Sequence, residues 1–115
     1  MGTRDMRIDS ASYTGSVDPT FTLSVSRRGR PRVVRVGGEL DIAARDHVRK
    51  ACLAGRGNVV VVEMAQTTFM DCSGYGALVG ARLMLQASGG SLTLRHQTGQ
   101  PAELLNMLAR LHSPN

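Results

Sequence analysis

Four consecutive valines, Val59 to Val62, and the later segment Phe69-Met70-Asp71-Cys72-Ser73-Gly74-Tyr75-Gly76-Ala77-Leu78 constrain this chain more than any other stretch. The β-branched run reads as a strand buried on both faces. The small polar residues and glycines behind it suit a sharp turn into a helix. Such a turn leaves backbone N–H groups without helical partners at the positive end of the helix dipole. Asp71, Cys72 and Ser73 are therefore expected at the surface, where a phosphate or a partner protein could reach them.

A chain of 115 residues holds one core and has no room for a separate substrate domain. With no Trp, two Phe and two Tyr, that core has to be built from Val, Leu, Ala, Ile and Met, which favours aliphatic α/β packing. The net charge of +5 comes partly from Arg27, Arg28, Arg30, Arg32 and Arg35. These fall where two strands meet near Gly29 and lack interleaved aromatics for stacking on bases. They read as a solvated hairpin tip rather than a nucleic-acid surface. Cys52 and Cys72 form neither a disulfide framework nor a CxxC pair. No secretory h-region, myristoylation signal or membrane-spanning apolar run is visible, so a cytoplasmic protein without membrane insertion is expected. Residues 1 to 19, polar and aperiodic up to Asp18-Pro19, are expected to be a flexible N-terminal tail, with the folded domain occupying 20 to 115.

Phe21-Thr22-Leu23-Ser24-Val25-Ser26 alternates with period two and pairs with Val33-Val34-Arg35-Val36 across a turn at Arg28-Gly29-Arg30-Pro31. Gly37-Gly38-Glu39-Leu40-Asp41 ends the second strand. Ala44, Val48, Ala51 and Cys52 then recur at helical spacing up to Gly55, the expected C-cap, which puts Cys52 in the core. Asn58 to Met64 forms the next strand and Ser73 to Ala87 the next helix, stopped by Gly89-Gly90 before the alternating strand Ser91 to Arg95. In the last helix Pro101 and Glu103 suit the first turn, and Leu104, Leu105, Leu108 and Leu111 make an apolar face. The order β-β-α-β-α-β-α predicts an α/β fold. Its mixed four- to five-stranded sheet has an N-terminal antiparallel hairpin, parallel pairing between helix-separated strands, and covering helices.

Catalytic chemistry finds little support. Thiol-dependent phosphatases keep their nucleophile in a strand-to-helix turn like that at Cys72, but such a loop needs a guanidinium closing on the phosphate. Ser73 to Ala81 contains none, and Arg82 lies well inside the helix. His47, His96 and His112 are scattered and read as surface or helix-end residues. Gly74-Tyr75-Gly76 lacks a third Gly at Val79, and no acidic residue from Cys72 to Ala102 could hold a ribose. A Walker loop and metal-ligand spacing are missing too. No enzyme activity, cofactor or metal is expected.

Three segments give the chain a family likeness. They are Gly38-Glu39-Leu40-Asp41 closing an early strand, Phe69-Met70-Asp71-Cys72-Ser73-Gly74-Tyr75-Gly76 opening the second helix, and Gly89-Gly90-Ser91-Leu92-Thr93-Leu94 leading to the last. In this order and spacing they resemble the STAS domain, the module of bacterial anti-sigma factor antagonists, over roughly residues 20 to 112. The resemblance implies transcription regulation by partner switching. An anti-sigma factor that is also an ATP-binding serine kinase binds the unphosphorylated STAS protein, releases its sigma factor, and ends the contact by phosphorylating a Ser or Thr. A phosphate placed in a closed interface beside a carboxylate opposes binding through repulsion and desolvation. An uncompensated buried charge of roughly 3 to 5 kcal/mol lowers affinity about a hundredfold or more.

The sequence departs from that pattern at the phosphoacceptor. Its position aligns with Cys72, which a serine kinase does not phosphorylate, and Ser73 aligns with the small hydroxyl residue that follows. Three readings stand. The protein binds its partner permanently, the docking surface surviving because Cys is near Ser in size; Ser73 has become the acceptor; or Cys72 is a thiol redox sensor. Asp41 and Asp71 match positions flanking the acceptor, where they would orient it and contact the kinase. Each also suits a helix cap worth about 1 kcal/mol. The implied partner-binding set is Asp41, Asp71, Cys72, Ser73, Gly74 and Tyr75, with Tyr75 either an aromatic anchor or a cover over the helix entry. A STAS scaffold subunit of another assembly, such as a lipid transporter or a stress-signalling complex, would use the same face. A homodimer is left open.

Overall fold

Alternation of Phe21, Leu23 and Val25 with Thr22, Ser24 and Ser26 gives a strand with one apolar side, and the same side is continued by Val34, Val36 and Leu40 in the strand beside it. In the computed structural model, which describes residues 12–18, 20–26, 31–54 and 59–111, eight elements follow one another. They are β1 (Ser12–Asp18), β2 (Phe21–Ser26), β3 (Arg32–Leu40), α1 (Arg45–Leu53), β4 (Val59–Met70), α2 (Cys72–Ala87), β5 (Ser91–Arg95) and α3 (Gly99–Leu111). The strands form one sheet in the order β1-β2-β3-β4-β5. β1, β2 and β3 are antiparallel neighbours, whereas β3, β4 and β5 run parallel. Both helical crossovers step along the sheet in the same direction. With the usual right hand, α1 and α2 fall on the same face.

The core lies between that face and the helices. Phe21, Val34, Val36, Leu40, Val60, Val62, Met64 and Met70 meet Val48 and Cys52 of α1 and Leu78, Ala81 and Leu85 of α2. Cys52 is fully buried as expected, and burial pushes its thiol up to about 12 against the opposing pull of Arg32. It carries no nucleophilic thiolate near neutral pH. On the sheet's other face Glu63 accepts hydrogen bonds from Arg95 Nε and His96 Nδ1, both at 2.8 Å, and from the Ala65 N–H at 3.1 Å.

Several expectations are corrected. Ser12–Asp18, read as part of a flexible tail, pair with β2 as an edge strand, because a third antiparallel strand supplies partners for the free edge of β2. Residues 1–11 and 19 lie outside the described residues. The valine run is not buried on both faces: Val60 and Val62 are buried, while Val59 and Val61 are half-buried on the uncovered side. β4 continues past Met64 to Met70, carried through two β-bulges. Arg32 is buried rather than solvated, with its guanidinium donating to the Cys52 carbonyl at the end of α1. Arg27, Arg28 and Arg30 fall outside the described residues, as do Gly55 and His112. α1 ends at Leu53 with Ala54 extended. Leu111, assigned to the apolar face of α3, is exposed.

Candidate functional site

Two neighbouring parallel strands finish at the same level, for Leu40 of β3 pairs with Met70 of β4. Their next residues, Asp41 and Asp71, leave the sheet side by side, each opening a turn toward a helix. The register that brings them level depends on the two bulges. The Arg35–Glu63 pairing becomes Gly37–Gln66 and then Glu39–Phe69, so β4 gains one residue on β3 at each bulge. Gly38 sits between them at φ +83, and a Cβ there would run into the Thr20 carbonyl. The Glu39 N–H donates to that same carbonyl at 2.8 Å. The Gly38-Glu39-Leu40-Asp41 segment thus owes its glycine to backbone geometry.

Both aspartates accept backbone N–H groups, but only Asp71 caps a helix, since the N-cap of α1 is Ala44. Asp71 is the extended N-cap of α2, and its Oδ1 accepts from the Gly74 N–H at 3.0 Å. Asp41 Oδ1 accepts from the N–H groups of Ala43 at 3.0 Å and Ala44 at 3.3 Å, stabilising the turn just ahead of α1. Gly74 is buried against β3. A Cβ at this position would collide with the Leu40 carbonyl oxygen and stand 2.7 Å from Leu40 Cγ, so only glycine lets α2 start this close to the sheet. Behind the turn, Gln100 at the start of α3 receives the Met70 N–H on Oε1 at 2.8 Å and donates from Nε2 to the Met70 carbonyl at 2.9 Å. Its side-chain amide pairs with the end of β4 where β5 has already stopped.

Cys72 is the first residue of α2 and is exposed; Ser73 is half-buried. Both line a groove of about 360 Å³ whose opposite wall is Arg45, Asp46 and Arg49 of α1. Cys52 lies in the last turn of α1, whereas Cys72 faces its first two turns, and both thiols are free. Tyr75 stands apart from this group. Its ring is half-buried against the core and lines a separate cleft of about 340 Å³ between α2, β5 and α3, with Leu78, Leu92, Leu105 and Arg82.

The structure therefore brings together Asp41, Asp71, Cys72, Ser73 and Gly74, and places Tyr75 on another side of the same turn. Sequence reasoning missed four contributors. Ile42, 63% exposed, and Phe69, 42% exposed, are large apolar side chains flanking the paired turns. Arg45 and Arg49 supply the cationic wall. Phe69 was hidden by ending the strand at Met64; a strand read through to Met70 puts it on the outer side. Among the described residues no group of three or more His, Cys, Asp or Glu could hold a metal ion, and no helix is long and apolar enough to cross a membrane.

This architecture, with aspartate-held turns at the carboxyl ends of two parallel strands, is that of a STAS domain. The chain belongs to the STAS-domain family, whose profile matches residues 22–114. Among solved structures it is similar to the anti-sigma factor antagonist SpoIIAA in its unphosphorylated form, at 24% identity and a TM-score of 0.64 over 76% of this chain and 80% of that one. It is also similar to an anti-sigma factor antagonist STAS domain from Rhodobacter sphaeroides, at 26% identity and a TM-score of 0.55 over 68% of this chain and 88% of that one. No curated protein matches.

Proposed function

We propose that this protein is an anti-sigma factor antagonist that binds an anti-sigma factor of the ATP-binding serine-kinase type, and that the contact is not ended by phosphorylation at the usual position. The observation that carries the reading is the exposed Cys72 at the first position of α2, between the capping Asp71 and the cationic wall of α1. A kinase docked on the paired turns meets a thiol where it needs a hydroxyl. Ser73 is one residue further on, about 100° around the helix and half-buried, a poorer target. Asp41 and Asp71 present two carboxylates to the partner while their hydrogen bonds from backbone N–H groups hold the turns, and Ile42 and Phe69 add apolar contact beside them.

The test separates charge from cap. The purified protein and its Asp71→Asn and Asp71→Ala variants are titrated with the anti-sigma kinases encoded in its genome of origin. Asn caps as well as Asp, so Asp71→Asn is expected to keep the melting temperature and lose about tenfold in affinity, whereas Asp71→Ala is expected to lose a further ~1 kcal/mol of stability. Absence of binding by the wild type to every such kinase would replace this reading with that of a scaffold subunit.

A further inference from the structure

The outer side of α2 extends the docking surface well beyond the turn. Cys72, Gly76, Leu83 and Ala87 lie along one exposed line of the helix, with Gly80 and Met84 on the α1 side of it. Leu83 is 59% and Met84 51% exposed, and a Cβ at Gly76 or Gly80 would meet nothing within 4 Å. Arg82 is the one charged residue in the sixteen of α2, and it lines the cleft on the far side, toward β5 and α3. The line is thus an uncharged track about 22 Å long, at 1.5 Å per residue over fifteen steps. It is low in its first half, where glycines let another backbone come close, and raised at its end by two large apolar side chains.

One border of the track is strongly marked. Arg45 and Arg49, one turn apart on α1, form the wall of the groove whose other side is Cys72, Ser73, Gly76 and Ala77. Asp46 is the single acidic residue in that wall, and its carboxylate stands 3.8 Å from Arg45 Nε, which leaves Arg49 with the net positive charge of the groove. The first residues of α2, Cys72 and Ser73, line the same groove, and the Asp71 carboxylate caps the helix end itself. Carboxylates complement this border, and an apolar stripe complements the track.

We propose that α2 receives, along its whole exposed length, an amphipathic helix of the partner that carries acidic residues on the edge facing Arg45 and Arg49 and an apolar stripe seated on Gly76, Gly80 and Leu83. The proposal rests on the antagonist reading and specifies what the anti-sigma kinase must bring to the interface. The partner helix crosses Cys72, so the turn and the track are occupied together. Binding is steered by the arginine border and fixed at the Leu83 end.

The test uses the full chain and the anti-sigma kinases of its genome as probes, with affinity measured at low and high salt. Leu83→Asp and the double variant Arg45→Glu/Arg49→Glu are compared with wild type and with Arg110→Glu, an exposed charge reversal in the last turn of α3. Each altered side chain is exposed, and unchanged circular dichroism and melting verify the fold. Leu83→Asp and the double variant are expected to bind at least about tenfold more weakly, the double variant losing the salt dependence of the wild type, while Arg110→Glu binds normally. Wild-type affinity in both α1 and α2 variants, with the kinase still bound by wild type, overturns the helix track and leaves the antagonist reading standing. A wild type that binds no kinase overturns both.

Discussion

At the scale of single residues, the site depends on the atoms that are missing at Gly74. Adding one methyl drives a Cβ into Leu40, whose carbonyl belongs to the sheet and cannot rotate away. Gly74→Ala is therefore expected to cost about 1–3 kcal/mol, read as a lowered urea midpoint with an unchanged slope, and to displace the start of α2 with Cys72 on it. Gly76→Ala, two residues on in open space, is the control and is expected to be neutral or slightly stabilising. The cap at Asp71 was legible in the sequence, because an N-cap is a local arrangement between a side chain and the next few amides. Asp41, expected to cap a helix from Ala43, instead holds the turn ahead of α1, whose own N-cap is Ala44. The reason for Gly74 was not legible, since it lies in a contact with Leu40, thirty-four positions away in the chain. Gln100 was invisible for the same reason, as its amide finds Met70 across thirty residues.

At the scale of elements, β4 decides where the site stands. Its valine-rich first half was readable from β-branching, whereas Ala65 to Met70 falls beyond the Asn58 to Met64 strand expected from the sequence. Pairing with β3 across two bulges carries the strand on to Met70, with Thr67, Phe69 and Met70 each matched to a β3 residue. The first bulge is held from the side by Glu63, whose carboxylate receives the Ala65 N–H and ties in Arg95, the last residue of β5, and His96 just beyond it. The Arg95 hydrogen bond leads in lowering the Glu63 carboxyl to about 2, with those of His96 and Ala65, against the opposing effect of burial. A carboxyl held below its unfolded value stabilises the folded state fully above the unfolded pKa and loses that contribution as pH falls through the folded value. Between about pH 5 and pH 2.5 the wild type is thus expected to lose denaturant stability more steeply than Glu63→Gln. Equal slopes in the two proteins would remove Glu63 from the account. The flexible-tail expectation failed for Ser12–Asp18 because an edge strand needs little hydrophobic patterning of its own when a neighbour offers backbone partners.

At the scale of the molecule, the α/β order, the parallel pairing and the covering helices were legible because period-two and period-3.6 patterns alternate along most of the chain. The candidate site stands where that topology ends two parallel strands at one level, Leu40 beside Met70. Here the two strand ends deliver Asp41 and Asp71 together, and α1 and α2 face each other across the groove with Cys72 between them. What the sequence could not supply is the surface chemistry around them, the arginine wall and the exposed Ile42, Phe69 and Leu83, because facing depends on the packed arrangement of separate elements. The central claim is that a thiol at the acceptor position makes partner binding lasting. It is tested most directly by mixing the protein with its anti-sigma kinase and excess ATP, then following complex and intact mass over the same time course. The account predicts a complex that persists with no added phosphate, and a Cys72→Ser variant that gains one phosphate and is released. A wild type that gains a phosphate on Ser73 and leaves the complex would contradict it.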